Sequence, residues 1–244
     1  MAPHVLAAMQ PYFSDKFYNP SSPYAPAVLV RREFEAAKQR LAESFGAKGD
    51  ELVMTAGATE SINLAFSGIS GHVITSSIEH PAVLESAKRH DATILSVDRF
   101  GRIQPEVVAQ AILPTTQLVS IALANNEIGT VQSLRKIAAV IEAERERRRE
   151  ACETVPILLH SDASQGFDQL DIHVARLGVD LLTLNAGKMY GPKQVGLLWA
   201  KKNVRMTAGI VGGGQERGLR SGTENVAGVM GFAAAAQWVA DHRK

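Results

Sequence analysis

Residues 157–200 read ILLHSDASQGFDQLDIHVARLGVDLLTLNAGKMYGPKQVGLLWA. Three short apolar runs stand out in it, at 157–159, 181–184 and 195–199. Each is mostly apolar and too short for a helix, which is the look of strands buried on both faces. Between the first two, residues 172–177 carry a helical pattern. A strand, a helical stretch and another strand in succession form the unit of an α/β fold. The first two strands each run into a polar, turn-forming segment: Ser161-Asp162-Ala163-Ser164-Gln165 and Asn185-Ala186-Gly187-Lys188.

The alternation continues outward. Further strands are predicted at 52–55, 72–75, 93–97 and 118–122, and helices at 28–45, 59–66, 81–89, 105–112 and 133–150. The alanine-rich stretch 226–239 is a last helix. The pattern predicts an α/β protein with a mostly parallel sheet of about seven strands and helices on both faces. No internal repeat or low-complexity linker divides the chain.

Composition narrows the class. The 244 residues are 45% hydrophobic and 21% charged, an ordinary globular balance that excludes disorder as the main state. Lys plus Arg number 26 and Asp plus Glu 25, so the net charge of +1 provides no global field for nucleic acid or an anionic membrane. The one charge run, EAERERRRE at 142–150, interleaves acids with bases and reads as a solvated helix face. A single cysteine, Cys152, excludes an intramolecular disulfide and a multi-cysteine metal cage, and no metal site is expected. No apolar run approaches the ~20 residues of a membrane span. The first residues, MAPHVLAAMQPYF, lack the basic-then-apolar order of a signal peptide. A soluble, cytoplasmic protein is expected, with no membrane or nucleic-acid partner.

Four segments concentrate unusual residues. Thr55-Ala56-Gly57-Ala58-Thr59-Glu60 joins a strand to a helix, and reads as an anion-binding turn or as a helix cap with Thr59 at its head. Asp162, past a strand end, either caps the next helix or pairs with a cationic ligand group. Lys188 precedes Gly191-Pro192, so it occupies a constrained turn, as a surface lysine or a Schiff-base nucleophile. Residues 212–223 mix glycines with arginines, as a backbone loop near an anion or a flexible surface loop would.

Six stretches occur in order: Gly57-Ala58-Thr59-Glu60-Ser61, Glu79-His80-Pro81-Ala82-Val83-Leu84, Asn125-Asn126-Glu127-Ile128-Gly129, Asp162-Ala163-Ser164-Gln165, Gly187-Lys188-Met189-Tyr190-Gly191-Pro192-Lys193 and Gly213-Gly214-Gln215-Glu216-Arg217-Gly218-Leu219-Arg220-Ser221-Gly222-Thr223. The set closely resembles the cysteine desulfurases, pyridoxal-phosphate (PLP) enzymes of the class V aminotransferase group, from about Pro3 onward. Asn19-Pro20-Ser21-Ser22 also looks like the family's early loop. The resemblance implies the family's PLP-binding large domain, with a seven-stranded mostly parallel sheet, and a homodimer. It implies that Lys188 carries PLP, Asp162 faces the pyridine nitrogen, and Gln165 and Asn126 lie near the phenolic oxygen. It also implies that His80 stacks on the ring and moves protons, and that Ala58 and Thr59 hold the phosphate. Thr223 is implied to reach the partner protomer's phosphate. The implied reaction converts L-cysteine to L-alanine and an enzyme persulfide, supplying sulfur to an acceptor or scaffold protein for iron–sulfur clusters or thiolation.

Two positions depart from the family's Ser-x-His-Lys pattern, which holds phosphate: here they are Asn185 and Gly187. Asn185 can still donate a hydrogen bond, whereas Gly187 offers only backbone. The family's first strand and its small domain, with the persulfide cysteine and a substrate-carboxylate arginine, have no counterpart in residues 1–244. The expectation is therefore a large domain alone, inactive by itself, with Cys152 in the wrong place to be the nucleophile. Two alternatives stay open: a non-catalytic PLP-binding or scaffold domain, and a PLP lyase or transaminase acting on another amino acid.

Overall fold

Strand-length apolar runs and helical-period stretches alternate along the chain, and a computed structural model describing residues 1–243 folds them accordingly. In order they are α1 (Pro3–Met9), α2 (Ala25–Glu43), β1 (Leu52–Thr55), α3 (Ala58–Phe66), β2 (His72–Ser76), α4 (Pro81–Ala87), β3 (Ala92–Leu95), α5 (Pro105–Ala111) and β4 (Thr116–Ser120). Then come α6 (Leu134–Glu150), β5 (Leu158–Asp162), α7 (Val174–Leu177), β6 (Leu181–Asn185), β7 (Gly196–Ala200) and α8 (Val226–His242).

The seven strands form one sheet in the order β1-β7-β6-β5-β4-β2-β3. Only β7 runs antiparallel, against β6 and β1, so the other six strands all end at the same edge. Successive side chains of a strand serve opposite faces. Thus Leu52 and Met54 join one apolar cluster, with α1, α2 and α8, while Val53 joins the other, with α3 and α4. Helices cover both faces, as expected.

Several boundaries differ from the sequence reading. The strand expected at 157–159 runs on through His160, Ser161 and Asp162. The His160 ring is tolerated there because it is paired inside the sheet: Nδ1 lies 2.8 Å from Ser120 Oγ and Nε2 lies 3.0 Å from Thr183 Oγ1, whereas the buried Ser161 hydroxyl has no partner. The strands expected at 93–97 and 118–122 begin earlier, at Ala92 and Thr116, where β2 offers pairing partners. Thr59 does not cap α3. The N-cap is Gly57, at φ 131°, and Thr59 lies in the first turn. A Cβ on Gly196 would stand 2.6 Å from the Gly57 carbonyl carbon, so β7 passes the turn at a distance only glycine allows. Residues 3–9, unassigned in the sequence reading, form α1, whose Val5 and Met9 are buried in the cluster that includes α8.

Candidate active site

Ligands of open α/β sheets gather at the carboxyl ends of the strands. Here the ends of β1, β2, β4, β5 and β6 surround a cavity of about 160 Å³. It is lined by Ala58, Thr59, His80, Asn126, Asp162, Gln165, Asn185 and Lys188, together with Ile78, Ala122, Ala124, Asn125 and Ser164. Eight of the nine residues singled out in the sequence therefore meet in one place. The ninth, Thr223, is exposed and lines a different cavity beside Thr55, Ala56 and Glu216. Two larger cavities, of about 440 and 450 Å³, contain neither Lys188 nor Asp162.

The floor is the first turn of α3. Gly57 caps the helix with no side-chain hydrogen bond, and the first intrahelical bond runs from Ser61 N–H to the Gly57 carbonyl. The amides of the first turn, at Ala58 and Thr59, thus have no helical acceptor and border the cavity, where the helix dipole adds partial positive charge. A Cβ added to Gly57 would meet nothing within 4 Å, so the turn opens onto free space.

Asp162 is the last residue of β5, and no helix follows for it to cap. Its Oδ1 accepts a hydrogen bond from Ser164 N–H at 2.9 Å. Burial pushes its carboxyl above the usual range, while Ser164 and the charges of His80 and Lys188 oppose that rise. A carboxylate so placed is stabilised by a cation. The Ser164 hydroxyl, also on the cavity, is buried without a partner.

His80 caps α4, with Pro81 behind it, and its Nδ1 accepts from Ala82 N–H at 3.1 Å. That bond assigns the neutral ring's proton to Nε2. Lys188 closes a single helical turn, residues 186–188, in which Met189 and Gly191 N–H both donate to the Ala186 carbonyl. A Cβ at Gly191 would stand 2.7 Å from that carbonyl oxygen, so the turn is locked and Lys188 projects from it, not from a helix face. Asn185 Oδ1 accepts from Gly187 N–H at 3.0 Å. A Cβ at Gly187 would find its nearest atom at 3.5 Å, so space alone does not exclude a side chain there.

Sequence reasoning missed the support behind these groups. Asn125, beside Asn126, donates through Nδ2 to the Ile78 carbonyl at 2.8 Å and accepts from Glu127 and Ile128 N–H. Glu79, beside His80, is buried, and Ser76 Oγ–H and Ala122 N–H donate to its carboxylate. The acid in a Glu-His pair was the available signal.

Among the described residues no group of three or more His, Cys, Asp or Glu could hold a metal ion, and no helix is long and apolar enough to cross a membrane. The chain is 38% identical to cysteine desulfurase IscS 1 of Archaeoglobus fulgidus, over 96% of this chain and 61% of that protein. It is also 38% identical to cysteine desulfurase IscS of Dictyoglomus turgidum, over 93% and 58% respectively. It superposes on a solved structure described as SspA in complex with cysteine with a TM-score of 0.90, at 37% identity, covering 97% of this chain and 69% of that one. The chain therefore spans 61% or less of the length of these two curated relatives. The profile of the class-V aminotransferases matches residues 1–243, and the chain belongs to that family.

Proposed function

We propose that the chain is the PLP-binding large domain of a cysteine desulfurase, and that Lys188 carries the cofactor. The observation behind this is the meeting of Lys188, buried Asp162 and the uncapped turn of α3 around one cavity. Those residues suit an anionic aromatic aldehyde: backbone amides for a phosphate, a carboxylate for a ring nitrogen, and an amine for a carbonyl. The orphaned Ser164 hydroxyl gives one more polar contact. When bound, PLP supplies an electron sink for charge developing on an amino acid's α-carbon.

The chain's own residues hold and tune that chemistry. The Ala58 and Thr59 amides with the Thr59 hydroxyl, and Asn185 across the cavity, would anchor the phosphate. Asp162, kept ionised by a protonated ring nitrogen, would maintain the sink. Asn126 and Gln165 would orient the ring's phenolic oxygen. His80, with its proton on Nε2, would cover one ring face and exchange protons with the substrate. Lys188 Nζ would hold the cofactor's aldehyde group, and its amine is the base on this cavity that would move the substrate's α-proton.

The substrate proposed is L-cysteine, its sulfur leaving as a persulfide on a protein thiol and alanine remaining. The protomers are proposed to pair, with Thr223 serving the partner's phosphate, and a sulfur-acceptor or scaffold protein is the proposed recipient. A second reading, PLP binding without turnover, is favoured by Cys152. It is exposed and lies past the end of α6, before β5 begins, at the sheet edge opposite the cavity. Mixing purified chain with PLP should produce visible absorbance, and borohydride reduction with peptide mapping should place the pyridoxyl group on Lys188. A label on Lys193, Lys201 or Lys202 alone would sink the assignment.

A further inference from the structure

Two residues on the cavity, His80 and Asn126, each follow a side chain that ties one strand-end loop to another. Asn125 reaches from the β4 loop to the Ile78 carbonyl at 2.8 Å. Glu79 reaches the opposite way: both its carboxylate oxygens lie 3.0 Å from Ala122 N, and Ser76 Oγ–H donates to Oε1 at 2.6 Å. Glu79 is only 6% exposed. The next amide along, Leu123 N–H, donates to the Asp162 carbonyl at 2.9 Å. A single buried carboxyl thus links the ends of β2 and β4, and through one further bond the end of β5.

We propose that Glu79 is a positioning residue of the Lys188 cavity, holding the loop that carries His80 in register with the loop that carries Asn126. A carboxyl buried this deeply is unusual unless something needs it. An apolar side chain would fill the space but leave Ala122 N–H without an acceptor. The titratable group acting on it from another strand is Asp162 of β5, and His80 is its neighbour in the chain. Burial first, and then the Asp162 charge, raise the Glu79 carboxyl to about 7, against the bonds from Ser76 and Ala122. At neutral pH and below, the tie therefore stays without adding a second full negative charge beside Asp162.

The proposal rests on reading this cavity as the cofactor site, so its test has one arm that needs no cofactor. Hydrogen exchange is measured on the purified chain and on Glu79→Ala and Glu79→Gln. In Glu79→Ala, segments 77–82 and 121–127 should exchange at least about tenfold faster, the loss of one buried hydrogen bond, while β1 and β7 are unchanged. PLP affinity, read by absorbance titration, should fall by about tenfold. Glu79→Gln should restore both, since its Oε1 accepts from Ala122 and its amide donates to Ser76. Unchanged exchange at Ala122 in Glu79→Ala, or a loss spread evenly over the sheet, would overturn the proposal. If Glu79→Ala does not fold, Ser76→Ala decides. Faster exchange confined to the same two segments supports the tie, and no change refutes it. Localised loosening in Glu79→Ala, together with an unaltered chain that takes up no PLP, would refute the cofactor reading and leave the tie standing.

Discussion

Glu79 and His160 are buried titratable side chains whose effects on stability run in opposite directions with pH. The Glu79 carboxyl is raised from 4.5 to about 7, so the folded state holds its proton more tightly than the unfolded chain. That contribution is fully present below pH 4.5 and is lost as pH rises through 7. Burial lowers His160 from 6.5 to about 3, so its contribution is present above pH 6.5 and is lost as pH falls toward 3. The two partly cancel between pH 5 and 6.5, which hides both in the native chain. Comparison with Glu79→Gln uncovers them. The variant should gain about 2–3 kcal/mol relative to native between pH 5 and pH 8, measured by urea unfolding at each pH. An unchanged difference would mean that Glu79 titrates normally. Neither shift was legible in the sequence, where both residues are simply polar. The shifts come from burial, and His160 is buried because Ser120 and Thr183 flank it in the sheet.

The 212–223 loop reads in the sequence as glycine-rich and either mobile or anion-seeking. The fold ties it down at Glu216. Glu216, Arg217 and Gly218 take φ values of 46°, 61° and 76°, three successive left-handed residues, two of them not glycine. Such a backbone costs on the order of 1 kcal/mol per non-glycine residue and needs an anchor. The anchor is Lys38 on α2, whose Nζ lies 2.9 Å from Glu216 Oε2, with both side chains under 10% exposed. Met54 N–H donates to the same oxygen at 2.9 Å. Lys38→Met would leave a buried carboxylate without its cation, at a cost of about 3–5 kcal/mol. Thermal unfolding should show the loss, and hydrogen exchange should show the loop loosening first. A variant as stable as native would mean that the pair is not needed. The helical period makes α2 legible, but the pairing of positions 38 and 216 depends on how that helix meets the loop.

At the scale of the molecule, Ile210 and Val211, which lead into the 212–223 loop, are 43% and 82% exposed, and Thr223 at its end is exposed too. Exposed apolar side chains beside that loop are suited to a second copy, as the proposed sharing of Thr223 requires. Sedimentation should show self-association, and Val211→Asp should weaken it by about tenfold or more. A strict monomer with PLP fully bound would contradict the shared site. The sheet also separates the only thiol from the cavity. Desulfuration needs a thiolate within reach of the substrate sulfur. With Cys152 at the opposite edge, this chain should release neither sulfide nor alanine from cysteine, with or without Cys152→Ser. Robust turnover that vanishes in Cys152→Ser would show that the thiol reaches the cavity after all.

The sequence by itself determined the α/β class, the count of strands and the helices on both faces, because those follow from local periodicity and short apolar runs. It also singled out Asp162, Lys188 and the turn before α3 as strand-end features, while His80, Asn126 and Gln165 came from the resemblance of an ordered set of motifs to a known family. Tertiary structure alone decided the rest. That β7 runs against its neighbours depends on pairing between distant segments. Strand β5 extends through His160 and Ser161 although both are polar, because its neighbours meet the His160 ring on either side. Glu79 and Lys38 look like surface residues in a string of letters. They became buried anchors only when Ala122 and Glu216, far along the chain, were folded against them.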